Sequence, residues 1–182
     1  MRCLTLVPIF FSARQDLLQQ VSLHLERTLH MEVSVRRPWF DPEASFDSSR
    51  GQYNSSRFLA QLLSDQSESA TKILGITSVD LFIPVLTYVF GEAQVDGRAA
   101  IVSIHRLRSE AYGLPPDDTL LARRLEKEAV HELGHTFGLV HCFEPQCVMN
   151  TSTYVEEIDL KSAEFCRKCL TTVRSQTEED AG

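Results

Sequence analysis

His131-Glu132-Leu133-Gly134-His135-Thr136-Phe137-Gly138-Leu139-Val140-His141 is the stretch on which the reading of this chain turns. On an α-helix, His131 and His135 lie one turn apart on one face, so their imidazole nitrogens can converge on one metal ion. Gly138 accepts a left-handed backbone, which ends the helix and carries His141 back as a third ligand. Three neutral imidazoles suit Zn²⁺ and leave a fourth position for water. Glu132 sits beside the ligand face, where it can take a proton from that water as general base. An exposed helix with incidental histidines explains neither Gly138 nor His141. From this chain's usage of His, Glu and Gly, the five fixed positions coincide by chance in about one chain in fifty thousand.

Working outward towards the N-terminus, Leu121, Leu125, Ala129 and Leu133 form an i+4 row that anchors the same helix to a sheet. Asp117 and Asp118 are its capping residues. Thr87 to Gln94 and Ala99 to Arg106 read as strands joined by Val95-Asp96-Gly97-Arg98, and Asp96-Gly97 is a hairpin signal. Further back, Lys72 to Ile83 is β-rich, interrupted by Asp80. Ser55 to Ser69 reads as a helix and Pro38 to Asn54 as a loop. Arg2 to Ile9 is a buried strand, Gln15 to His30 a helix, and Met31 to Arg36 a half-buried strand. Two β-then-α units followed by a hairpin imply an α/β (α+β) domain with a mixed, mostly parallel sheet.

On the other side of the stretch, Cys142 follows His141 directly. Cys142 and Cys147 make one thiol pair, Cys166 and Cys169 another, with 18 residues between the pairs. Four thiolates at such spacing form a closed tetrahedral Zn²⁺ site with no place for water. Its formal charge of about -2 has Lys161, Arg167 and Lys168 nearby in sequence to soften it. A redox-active Cys166/Cys169 pair and two disulfides are the rival readings. The first leaves Cys142 and Cys147 without a role, and the second suits a cytosolic chain badly. Cys3 is left over as a core residue.

At 182 residues, 43% hydrophobic and 24% charged, the chain has the composition of one soluble globular domain. A formal charge of -7 and the lack of a basic, aromatic stripe argue against a nucleic-acid partner. No apolar run has the length of a membrane span. Pro8 interrupts the apolar start and no small-x-small cleavage site follows, so the reading is cytoplasmic.

The set His131-Glu132-x-x-His135-x-x-Gly138-x-x-His141-Cys142, then Cys147-x-Met149, then Cys166-x-x-Cys169 resembles the archaemetzincins, zinc peptidases of the metzincin clan. Weaker likeness extends to Arg50-Gly51-Gln52-Tyr53-Asn54-Ser55 and Phe90-Gly91-Glu92-Ala93. The resemblance implies a compact metzincin-like domain over 1–175, with residues 176–182 a disordered tail. Its twisted, mostly parallel sheet has an antiparallel edge strand, by position Thr87 to Gln94, along which a peptide substrate lies antiparallel. It also implies that Met149 is a hydrophobic floor beneath the histidines. The Met149 to Tyr154 segment is expected to wall a substrate pocket, where Tyr154 either packs, the favoured role, or stabilises the oxyanion. Two zinc ions per chain are expected. One is catalytic, on His131, His135 and His141; the other is structural, on Cys142, Cys147, Cys166 and Cys169. The expected activity is hydrolysis of peptide bonds by a monomer acting on a peptide or protein substrate. The alternative is a catalytically silent zinc module that binds peptides or a protein partner, against which Glu132, a non-ligand, weighs.

Overall fold

The computed structural model describes residues 3–13, 15–64 and 71–179. Its first half runs β1 (Cys3–Ile9), α1 (Gln15–Leu29), β2 (Glu32–Val35), a 3₁₀ turn (Pro42–Ser45), β3 (Phe46–Asp47), β4 (Gln52–Asn54) and α2 (Ser55–Leu63). The second half runs β5 (Lys72–Thr77), β6 (Leu81–Phe82), β7 (Gly91–Ala93), β8 (Ala99–Ser103), a 3₁₀ turn (Ser109–Tyr112), α3 (Asp118–Thr136), α4 (Val155–Leu160) and α5 (Arg167–Glu179).

Five strands form one sheet in the order β2-β1-β5-β8-β7. Its first four strands are parallel, and β7 closes the edge antiparallel to β8, with Gly91 opposite Val102 and Ala93 opposite Ala100. The central strands are buried on both faces, which is why they read as continuous apolar runs. Leu4, Leu6, Leu74, Ile76, Ala100 and Val102 pack beneath α1 and α3, while Val7, Ile9, Ile73 and Ile101 pack against Phe58, Leu59 and Leu62 of α2. The predicted row holds α3 to the sheet: Leu125, Ala129 and Leu133 are fully buried and Leu121 nearly so. A leucine buried this way contributes about 1.5–3 kcal/mol. Asp117 caps the helix, its carboxylate accepting from the Leu120 N–H at 2.8 Å.

Several expectations need correction. The stretch 38–54 is not a plain loop. It contains β3 and β4, which join β6 in a second, three-stranded sheet with β4 in the centre. The strand expected over Thr87 to Gln94 shrinks to β7, because Val89 turns away to bridge Leu81. The last strand stops at Ser103, since a tight turn follows through Leu107. Val35 of β2 is exposed rather than alternating inward, and Cys3 is half-buried rather than in the core. Residues 176–179, expected in a disordered tail, belong to α5; residues 180–182 lie outside the described residues. The N-terminal residue of the first predicted strand, Arg2, and the predicted continuation of α2 over 65–69 also lie outside them. No helix among the described residues is long and apolar enough to cross a membrane.

Candidate metal centre and cleft

Helix α3 ends where the sequence demands. Gly138 has φ +79°, its N–H donates to the His135 carbonyl at 2.9 Å, and the Leu139 N–H donates to the Gly134 carbonyl at 3.2 Å. This pair of bonds is a Schellman motif, and it turns the chain back towards the helix. His141 therefore returns to the same face. Ligand atoms of His131, His135 and His141 all lie within 4.8 Å of one another, with the first imidazole buried, the second half-buried and the third exposed.

Hydrogen bonding sets the tautomers. His131 Nδ1–H donates to the Val148 carbonyl at 2.8 Å and His135 Nδ1–H to the Leu139 carbonyl at 2.7 Å. In neutral rings so bonded, each Nε2 carries a lone pair and no proton. These two Nε2 atoms nevertheless sit 3.2 Å apart. Two facing lone pairs at that distance fit a shared cation. Two nitrogens bound to zinc at about 2.0–2.1 Å in tetrahedral geometry are separated by about 3.3–3.4 Å. Burial holds His131 well below the ordinary imidazole range, and it lowers His135 too. Both rings therefore stay neutral and able to ligate.

Glu132 points to the other side of the cleft floor, beneath the edge strand. A Cβ added at Gly91 would lie 2.6 Å from Glu132 Oε1 and 2.6 Å from the Ile101 carbonyl oxygen. Only the missing side chain lets the carboxylate sit so close under β7. Burial, followed by the charge of Glu128, pushes the Glu132 carboxyl well above the usual range and so raises its affinity for a proton. Replacing Gly91 with alanine is expected to displace this carboxylate without touching a histidine. Peptidase kcat should fall about a hundredfold, the cost of an ångström-scale misplacement, while zinc content by mass spectrometry stays at the wild-type value.

A cavity of about 540 Å³ opens over these groups. Leu86 to Ala93 form one rim, and Thr151 to Tyr154 the opposite wall. The hydroxyl of Tyr88 donates across to the Thr153 carbonyl at 3.1 Å and closes one end. Tyr154, expected to pack in this wall, is instead 63% exposed at its rim. Met149 is fully buried, and a side chain at Gly134 would collide with its sulfur, so Met149 lies under the turn of α3 between His131 and His135.

Lys161 does not serve the thiols as its sequence position suggested. Its ammonium is 3.1 Å from Glu128 Oε1, both side chains are at least 96% buried, and it donates to the Asn150 carbonyl at 3.1 Å. The pair ties α3 to the turn containing Met149. Lys161→Met strands Glu128 as a buried, unmatched charge, and the expected loss of stability in urea unfolding is about 3–5 kcal/mol.

The sulfurs of Cys142, Cys147, Cys166 and Cys169 also lie within 4.8 Å of one another, and all four are free. Cys142 Sγ and Cys166 Sγ are 3.9 Å apart. A disulfide needs about 2.05 Å, whereas two sulfurs on a tetrahedral zinc at about 2.3 Å lie about 3.8 Å apart. The Cys166 N–H donates to Cys147 Sγ at 3.3 Å. At the start of α5, the Cys169 N–H lowers the Cys166 thiol to about 7, while burial pushes Cys147 and Cys169 up. Cys3 lies apart, against Ser34. Sequence reading passed over Glu128, met Gly91 only inside a run of weaker likeness, and gave Lys161 the thiolates as its partner. Each acts through a partner far away in the chain, and no local pattern marks it.

Comparison with known proteins agrees with this geometry. Residues 30–175 match the model of Peptidase family M54. An archaemetzincin from Methanocaldococcus jannaschii is 43% identical over 129 residues, covering 71% of this chain and 70% of that protein. One from Haloquadratum walsbyi is 36% identical over 154 residues, covering 83% and 88%. The crystal structure of the Methanopyrus kandleri archaemetzincin superposes with a TM-score of 0.85 at 36% identity, covering 97% of this chain and 96% of that one. Matched by that family model over 30–175 and by these proteins in sequence and fold, the chain belongs to Peptidase family M54, the archaemetzincins, and is a zinc metallopeptidase.

Proposed function

We propose that this protein hydrolyses peptide bonds in the cleft between β7 and α3, with His131, His135 and His141 holding a catalytic zinc and Glu132 acting as general base. Cys142, Cys147, Cys166 and Cys169 hold a second, structural zinc, and residues 1–175 act as one peptidase unit. The observation that carries this reading is the pair of unprotonated Nε2 atoms 3.2 Å apart, with Glu132 buried beside them in an open cleft. Zinc, when bound, lowers the pKa of water and polarises a carbonyl.

The chain's own residues do the rest. Val148 and Leu139 carbonyls fix the imidazoles in the ligating tautomer. Glu132 takes a proton from the attacking water on its carboxylate and hands it to the leaving amine, a task suited to its raised proton affinity. Strand β7 pairs only with β8 among the described residues, so its outer edge offers main-chain donors and acceptors to an extended peptide. Gly91 keeps that edge within reach of Glu132.

A peptide-library digest read by mass spectrometry tests the reading. Cleavage products should vanish with a chelator and return on adding Zn²⁺. Peptides that bind and are never cut under zinc-replete conditions would make the protein a silent binding module instead.

A further inference from the structure

Residues 50–56 and 86–93 meet along the back of the cleft's rim. Strand β7 turns Gly91 and Ala93 towards α3: a side chain at Gly91 would strike Glu132, and Ala93 packs against the core beneath α1 and α3. Alternation along the strand sends Glu92 to the opposite face. There its carboxylate reaches the first turn of α2, accepting from the Ser56 hydroxyl at 2.8 Å and from the hydroxyl of buried Ser55. A negative charge at a helix N-terminus is also favoured by the helix dipole. The same segment holds the rim ahead of β7. Arg50 Nη1 donates to the Leu86 carbonyl at 2.9 Å, and Gln52 Nε2 donates to the Thr87 carbonyl at 3.0 Å.

A strand of three residues, paired on one side, has little of its own to keep it in place. A peptide that adds to its outer edge gains full affinity only where that edge is already ordered, because ordering it on binding subtracts from the gain. Resting on the peptidase reading above, we infer that Glu92 is a positioning residue. With Ser55 and Ser56 it pins β7 from behind and keeps the outer edge preformed for an extended peptide. Gly91, and with it the seat of Glu132, has its own support. It pairs with Val102, and the neighbouring Phe90 carbonyl accepts from the Ser103 N–H at 2.8 Å. The clamp therefore acts on peptide binding and spares proton transfer.

The test compares an octapeptide that spans the edge with a blocked dipeptide that spans only the cleaved bond. Both come from the library digest or, if nothing is cut, from peptides that the zinc-loaded protein retains. With the octapeptide, Glu92→Ala should raise KM about tenfold and leave kcat within about twofold, the scale of one charge-assisted hydrogen bond. With the blocked dipeptide, kcat/KM should stay within about twofold of wild type. Ser56→Ala removes an exposed hydroxyl without threatening the fold, and should raise KM for the octapeptide about threefold. Glu92→Gln keeps a carbonyl oxygen for one hydroxyl and should hold KM within about threefold of wild type. Calorimetric binding to the same variants in a Glu132→Ala background should follow the KM values. An equal loss for both substrates, a fall in kcat at constant KM, Glu92→Gln as poor as Glu92→Ala, or Ser56→Ala without effect overturns the clamp and leaves the peptidase reading standing. Octapeptide binding that weakens in Glu92→Ala, with no cleavage by wild type, keeps the clamp and overturns the peptidase reading. Neither binding nor cleavage overturns both.

Discussion

Glu132→Ala is expected to cut peptide hydrolysis by about two to four orders of magnitude, the usual contribution of a positioned general base, while the fold and the zinc content stay as in wild type. The carboxylate touches no metal ligand's hydrogen bond: the imidazoles are oriented by the Val148 and Leu139 carbonyls, and both bonds survive the substitution. Its own position depends on Gly91, and burial raises its proton affinity. Single-turnover hydrolysis of a library-derived peptide, with zinc counted by native mass spectrometry, separates the outcomes. A variant that hydrolyses as fast as wild type removes Glu132 from the mechanism. A variant that is slow because zinc has been lost assigns Glu132 a structural role instead.

The second large effect concerns dependence between the two clusters. Cys166→Ser combined with Cys169→Ser is expected to abolish metal binding by the thiols, loosen the chain from about residue 139 to the start of α5, and weaken zinc binding at the histidines about 10–100-fold. The route is visible in the bonds. The Cys142 N–H donates to the Met149 carbonyl at 2.9 Å, the Asn150 side chain donates to the Cys142 carbonyl at 3.0 Å, and the carbonyl of Val148, next to Cys147, orients His131. A thiolate site that closes this loop therefore holds a group that the imidazole site needs. Structural zinc contributes about 10–16 kcal/mol in zinc-finger peptides. Here Val155, Ile158 and Val173 still anchor α4 and α5 to the core, so the loss stays local. His141→Ala removes an exposed ligand and should lose zinc from the histidines alone, with the thiol-bound zinc and the melting curve retained. Zinc stoichiometry and circular dichroism on both variants measure the asymmetry. A double cysteine variant with full zinc at the histidines and normal melting would show two independent sites.

Features governed by helix period and chain reversal were legible in the residue spacing. His131 and His135 share a face because four residues make about one turn, and Gly138 reverses the chain because a glycine tolerates positive φ. The buried row from Leu121 to Leu133 and the turn at Asp96-Gly97 follow from equally local rules. The resemblance carried by the thiol pairs and Met149 also reached the right sheet, with its antiparallel edge before the last strand.

Which distant groups meet follows from packing between elements. Lys161 looked like a counter-charge for the thiolates, but packing of α4 against α3 delivers it to Glu128. Phe90-Gly91-Glu92-Ala93 read as part of a longer strand, yet only three residues pair, and the register of β7 on β8 sets Gly91 over Glu132. The last residues of α5, 176–179, were read as part of a disordered tail, because their polar sequence hides that they continue a helix anchored in the core through Cys169 and Val173. Local spacing reports the angle between neighbouring side chains on one element. Contact between elements depends on packing across the whole chain, which no short window of residues contains.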